Sequence, residues 1–550
     1  MSVSVSGVVV MVLFYLLVLA TGIWASKKKR KMQGKSQSDL MVITLLGNRT
    51  IPLVVGIFTM AATVIGGGFI VGLSETIYSP DFGLAWATIL FATPLCLLIG
   101  GLFFAKTMRE RKYMTIMEPF QLKYGKAISG VLSVALILTE IFWVPSTLIG
   151  LGASMSVVLD LSYSLCVWIS AAVAIIYTLL GGLLSVAYTD VVQLTLLFFA
   201  LWTCVPSLLM SPYSADIFTS AFNFTYQAPW VGSIDSITAW IWIDQTLLLA
   251  LGSLGCQGYH QRILSASSPA AARIISLTAA PISLIFSIPS VLIGAVAAST
   301  DWNQTEYGSP SPYERGEASL ILPIALQHLT PNYISIVGIA AVAAAVMSSM
   351  DSILLSAVSI FVTNIYQNVR RASERELQWV MRISVVGVGL IGTSLTSLKG
   401  SIISFWILGA TITYVFMFPQ LICILFVDIS NGYGAITGLG IALVLRVLAG
   451  EPSLGMPVIL RLPGCTLENG VYVQYAPVST ICMLCNFFST LLVSYMTSLL
   501  FTKGVIPERF DIYKVKSPQV ARVISNTTEK EKAHQIPLAE SEHETMLVLA

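Results

Sequence analysis

Residues 59–73 read TMAATVIGGGFIVGL, inside an apolar segment long enough to cross a bilayer. Three consecutive glycines, Gly66, Gly67 and Gly68, interrupt it. Each costs roughly 1 kcal/mol against alanine in a helix interior. Unwound backbone at membrane depth is tolerated only where it is buried in protein or lines a cavity. Its freed carbonyls can there ligate a small cation. The same glycines also suit close packing of two helices, and on this segment alone both readings stand. A second apolar segment, residues 240–259 (WIWIDQTLLLALGSLGCQGY), is interrupted at Gly252, Gly255 and Gly258. A matched pair of Gly-interrupted segments, one opening each half, points to the binding site of a transporter built from inverted repeats.

The composition agrees. Of 550 residues, 55% are hydrophobic and only 11% charged, which excludes a soluble domain. Apolar length predicts an all-α integral membrane protein of about thirteen transmembrane helices, near 7–25, 50–72, 83–105, 127–155, 163–181, 189–210, 237–257, 274–298, 334–361, 378–397, 402–425, 431–449 and 477–501. A net charge of +2 implies no nucleic-acid partner, and four histidines without ligand spacing argue against a metal enzyme. No Ser/His/Asp set or phosphate loop points to catalysis. Seven cysteines lie in apolar segments, where buried thiols are inert. Cys465 lies in an outer loop without an evident partner, so no disulfide framework is indicated.

The cationic run Lys27–Lys31 follows the first apolar segment, whereas a secretory signal carries its charge before the apolar core. The segment is therefore a retained span with its basic end in the cytoplasm and the N-terminus outside. An odd span count puts the C-terminus in the cytoplasm. Lys106, Arg109, Arg111, Lys112, Lys123, Lys126, Arg262, Arg370, Arg371 and Arg375 fall in inner loops, while outer loops hold few cations, Arg315, Lys399 and Arg461. The sequons at Asn223 and Asn303 fall outside and are glycosylation acceptors; those at Asn48 and Asn526 fall inside. The tail beyond about Thr502 is polar, and its acidic Leu-containing end offers a place for trafficking adaptors.

Ionisable residues within spans are functional candidates. Asp351 lies in a run rich in small and hydroxyl residues, beside Ser348, Ser349 and Ser352. Serines there also serve close helix packing, but a carboxylate needs a cation, a proton or a donor; Asp351 is a candidate coupling group. Asp190 opens a span, as a carboxylate near a helix N-terminus or as part of a deeper cation site. Glu140 precedes the aromatic pair Phe142-Trp143, which it can orient. Asp244 suits a hydrated position near the outer end of its helix, and Arg382 and Arg446 suit snorkelling to the interface.

Ala62 and Ile65 around the glycine break, Ser348-Ser349, and YTDVVQL at 188–194 resemble the sodium/solute symporter family. GLAWA at 83–87, GLFFAK at 101–106, GGLLSVAYTDVVQL at 181–194, AASTDWNQTEYG at 297–308 and AVMSSMDS at 345–352 resemble its choline-carrying branch. The likeness runs from the first span through the last and spares the tail. It implies a LeuT-like core of two inverted five-helix repeats. The corresponding division is 1–49 (first span and basic inner loop), 50–210 (first repeat), 211–236 (outer loop), 237–425 (second repeat), 426–501 (two further spans) and 502–550 (tail). It implies Na+-coupled, Cl−-dependent import of choline for acetylcholine synthesis, or of a related organic cation, at the plasma membrane or in synaptic or endosomal vesicles. The family's sodium site maps to carbonyls of Ala62, Ile65 and Ala345 and hydroxyls of Ser348 and Ser349, with Asp190 at a second cation site.

The substrate positions depart from that branch. Where it has T-W-V-G-G-G-Y, this chain reads Thr63-Val64-Ile65-Gly66-Gly67-Gly68-Phe69. The aromatic cage implied by the resemblance meets Val64, Thr93 and Cys256 in place of two tryptophans and a tyrosine; Trp143 matches, and Phe69 offers a second aromatic wall. Each lost face is worth on the order of 1–2 kcal/mol when desolvated, so losing three weakens choline binding by roughly two to four orders of magnitude unless something compensates. Symport of another small solute, and solute sensing without transport, remain as alternatives.

Overall fold

The computed structural model describes residues 5–33, 40–159, 161–180, 182–398, 401–451, 454–468, 470–513 and 515. The sequon at Asn526 and the trafficking segment of the tail lie outside them. Fifteen helices organise the described chain: α1 (Val5–Gln33), α2 (Leu53–Val64), α3 (Gly67–Tyr78), α4 (Thr88–Ile99), α5 (Lys126–Leu159), α6 (Tyr163–Leu180), α7 (Leu183–Leu209), α8 (Ala239–Gly252), α9 (Gln257–Ser265), α10 (Pro269–Ala298), α11 (Asn332–Ile360), α12 (Glu374–Leu395), α13 (Ile402–Ile412), α14 (Gly432–Leu448) and α15 (Val478–Thr502). Shorter helical pieces join or extend them.

Among the described residues nine helices are long and apolar enough to cross a membrane, and eleven spans result when each of two bent pairs counts as one. The two other expected spans correspond to α6 and α14, whose apolar stretches are shorter. The bent pairs are α2 with α3, and α8 with α9; each bends by 46°. Each opens a run of five spans, the arrangement of an inverted-repeat transporter. Strands Cys465–Glu468 and Val471–Gln474 pair antiparallel, the one small sheet among the described residues.

Helix α11 forms the centre, packed on α2, α3, α5, α7, α9 and α12. Of its most apolar window 78% is buried, against 33% for α15, which leans on α14 at the periphery. Small residues make this possible: the stretch around Ala340–Ala345 brings neighbouring backbones close.

Three expectations need correction. Helix α7 begins at Leu183, so Asp190 is a mid-helix residue with no free N–H groups to neutralise. Arg262 is not in an inner loop: the second broken span continues to Ser265, and its guanidinium is fully buried. Asp244 is buried rather than hydrated. It accepts from the backbone N–H of Ser479 (3.0 Å) and Thr480 (2.7 Å) and from the Thr480 hydroxyl (2.6 Å). It thereby supplies acceptors for the orphan donors that begin α15.

Candidate functional site

At the first break Ile65 leaves the helix (φ −95°, ψ 65°) and Gly66 is extended (φ −102°, ψ −170°). Among the described residues nothing donates to the carbonyls of Ala62 and Ile65. A Cβ on Gly66 would lie 1.6 Å from Ser349 Oγ. The glycine run therefore both unwinds and packs closely, and it sets the freed carbonyls against the stretch of α11 that carries Ala345, Ser348 and Ser349. The Ser348 hydroxyl donates to Asp190 Oδ1 and the Thr59 hydroxyl to Asp190 Oδ2, each at 2.5 Å. Asp190 is fully buried and joins the same oxygen-rich cluster. Carbonyl, hydroxyl and carboxylate oxygens are the donors that a hard monovalent cation takes.

Asp351 lies apart from this cluster. Two residues along a helix are about 200° around its axis from Ser349. Its Oδ1 accepts from the Thr178 hydroxyl of α6 at 2.5 Å, and its Oδ2 has no partner.

The second break is centred on Cys256, whose extended conformation (φ −89°, ψ 147°) separates α8 from α9. His260 of α9 pairs with the Leu254 carbonyl at 2.7 Å, answering a carbonyl near the break. Beyond it Arg262 donates to Ser352 Oγ at 2.5 Å and to Gln261 Oε1 at 3.1 Å. Among the described residues no carboxylate is within ion-pair distance of it, yet Asp190, Glu140 and Asp351 are the carboxylates whose charge it faces.

Between the two breaks lies a cavity. Val64, Thr93, Trp143 and Cys256 line it, as the resemblance implies, together with Ser349. Phe69 does not; it is fully buried in the core. Gly66 and Gly68 face the cavity, and helical rotation of about 100° per residue turns the next side chain away. One functional candidate was not legible beforehand, and another was given a lesser role. Trp406 of α13 lines the cavity, and Trp143 Nε1–H donates to its carbonyl at 3.2 Å. Gly409 permits this: a Cβ there would lie 2.4 Å from Trp143 Nε1. Nothing in the aliphatic run around Trp406 marks it as a site residue. Glu140 also lines the cavity, and among the described residues nothing donates to its carboxylate. Its signal was its charge within a span, which the neighbouring aromatic pair explained away.

Two broken helices that meet a serine-rich helix around a membrane-buried cavity define an ion-coupled secondary transporter. The chain belongs to the sodium:solute symporter family, whose model matches residues 45–441. It is thus a transporter and not an enzyme. It is 46% identical to "High-affinity choline transporter 1" of Torpedo marmorata, over 99% of this chain and 94% of that one. It is 45% identical to the human protein of that name (93% and 89% covered) and 38% identical to the Drosophila melanogaster one (98% and 87%). Among solved structures, a substrate-bound, outward-open Na+-coupled sialic acid symporter aligns with a TM-score of 0.68 at 17% identity, over 89% of this chain and 97% of that one. That likeness concerns the fold, which is LeuT-like.

Proposed function

We propose that this protein couples sodium entry to import of a small organic ammonium of the choline class, recognised by a carboxylate and two indoles instead of a full aromatic cage. The observation that carries this reading is Glu140, an unanswered carboxylate in the cavity wall that holds Trp143 and Trp406. A buried carboxylate without a partner is costly, and a bound ammonium supplies the missing charge while its methyl groups meet the indole faces.

Sodium sits, in this reading, among Ala62, Ile65, Ala345, Ser348 and Ser349, with Asp190 holding Ser348. Val64, Thr93 and Cys256 are the positions that set substrate size. The five-span runs within 50–210 and 237–425 are the moving repeats. Chloride dependence follows from the resemblance, and replacing chloride with gluconate tests it. The exposed acceptors Asn223 and Asn303 suit a plasma-membrane glycoprotein with its N-terminus outside and its C-terminus in the cytoplasm, in contact with membrane lipid and, through the tail, with trafficking adaptors.

The test is uptake of radiolabelled choline in cells expressing the chain, in sodium and in sodium-free medium. Val64→Trp with Cys256→Trp serves as the restored-cage variant. Sodium-dependent uptake that Glu140→Gln abolishes is the expected result. Uptake that appears only with the tryptophans restored would mean another solute. Silence from both at the cell surface would overturn transport of this class.

A further inference from the structure

A second, larger cavity of about 550 Å3 lies beside the central one, between α3, residues 82–89, α8 and the start of α13. Trp406 belongs to the walls of both. Glu75 of α3 lines the larger cavity and is 8% exposed. It meets the Ile402 backbone at the first turn of α13, but its Oε2 has no hydrogen-bond partner. Glu451 lines the same chamber and is answered by Arg446. The chamber's described lining includes no lysine, arginine or histidine to pair with the Glu75 carboxyl.

The other walls suit an organic cation better than a metal ion. Phe82 and Trp86 meet edge to face with centroids 6.2 Å apart. The Trp86 indole N–H donates to the Ser233 carbonyl at 3.1 Å, which fixes its ring. Aromatic faces beside one buried carboxylate match an alkylammonium, whose charge is spread over methyl or methylene groups. The chamber wall also carries hydroxyls, of which Thr76 donates to the Gly72 carbonyl at 2.9 Å and Ser401 and Ser404 pair with each other at 2.9 Å.

We propose that this chamber is a second binding site for a monovalent organic ammonium, with Glu75 as counter-charge and Phe82 and Trp86 as walls, next to the central cavity with which it shares Trp406. The proposal rests on the reading of the substrate as a cation. Its test is equilibrium binding of radiolabelled tetraethylammonium to the purified full-length protein in saturating sodium, in the Glu140→Gln background so that the central carboxylate is silent. Adding Glu75→Gln is expected to weaken binding by about tenfold or more, while Glu75→Asp, which keeps the charge, recovers most of it. Trp86→Leu, at a half-buried position, is expected to weaken it by roughly three- to tenfold, and serves if the Glu75 variants fail to fold. Binding that is absent in the Glu140→Gln protein, or that ignores both Glu75 and Trp86, would overturn the proposal. Binding governed by Glu75, in a protein whose choline uptake ignores Glu140, would sustain this site and remove the central-cavity reading.

Discussion

Replacing Asp190 with asparagine removes a carboxylate from the proposed sodium cluster and leaves the shape of the side chain almost unchanged. Both oxygens are in use, one by Ser348 and one by Thr59, each at 2.5 Å. Asparagine offers a single acceptor oxygen, so one of these hydroxyls meets an NH2 group in a fully buried place. A hydrogen bond to a charged group is worth about 1.5–3 kcal/mol. Whichever way the amide turns, the cluster loses the negative charge and one charge-assisted hydroxyl bond, which is expected to lower sodium affinity by about one to two orders of magnitude. The assay is thermal unfolding of the purified protein while NaCl replaces KCl at constant ionic strength. A cation that binds only the folded state raises Tm once its concentration passes Kd. In Asp190→Asn the onset should move to at least about tenfold more sodium. Asp351→Asn is the internal control: its Oδ1 still accepts from Thr178, and the onset should stay within about threefold. A folded Asp190→Asn protein with unchanged sodium onset would refute the reasoning and reduce Asp190 to a structural tie.

Four further outcomes follow from the same geometry. Gly66→Ala should abolish sodium stabilisation, because its Cβ would lie 1.6 Å from Ser349 Oγ, with a folding penalty of about 1–3 kcal/mol from overpacking; a sodium titration of the melting temperature checks it. Glu140→Gln should weaken choline binding at least about tenfold while leaving the sodium onset in place, measured by equilibrium binding beside the melting curve. Asp244→Ala should destabilise the fold by about 1–3 kcal/mol, since three donors of α15 lose their acceptor, and should not change the sodium onset. Asn223→Gln and Asn303→Gln should each speed migration on a denaturing gel, and glycosidase treatment should erase the difference between variant and parent.

Much of the architecture was legible because bilayer depth demands a minimum apolar length, and the chain repeats that length with glycine breaks in two corresponding places. The glycine break was legible in the sequence, while the proposed sodium ligands Ala62, Ile65, Ala345, Ser348 and Ser349 came from the family resemblance, and the structure sets the break against the stretch of α11 that carries the serines. Where a helix continued past its apolar stretch, length misled. Arg262 follows the apolar end of its span, yet α9 carries it into the interior. Asp190 opens a span only if residues 183–188 are left in a loop, but Leu183, Leu184, Val186 and Ala187 are apolar and α7 begins with them directly after Gly182.

The cavity is where the chain's order of residues ceased to be enough. Apolar length and broken periodicity told which segments cross the membrane and which of them unwind, because those are properties of a segment against its solvent. Which side chains share a cavity depends on the rotation of each helix about its axis and on what its neighbours present. Phe69 and Gly68 are adjacent in the chain and face different surroundings, while Trp406 and Trp143 are 263 residues apart and share one wall. Contacts between segments, set by glycines that let Trp143 lie on α13 and Ser349 press on the break, decided that a carboxylate and two indoles line the central cavity.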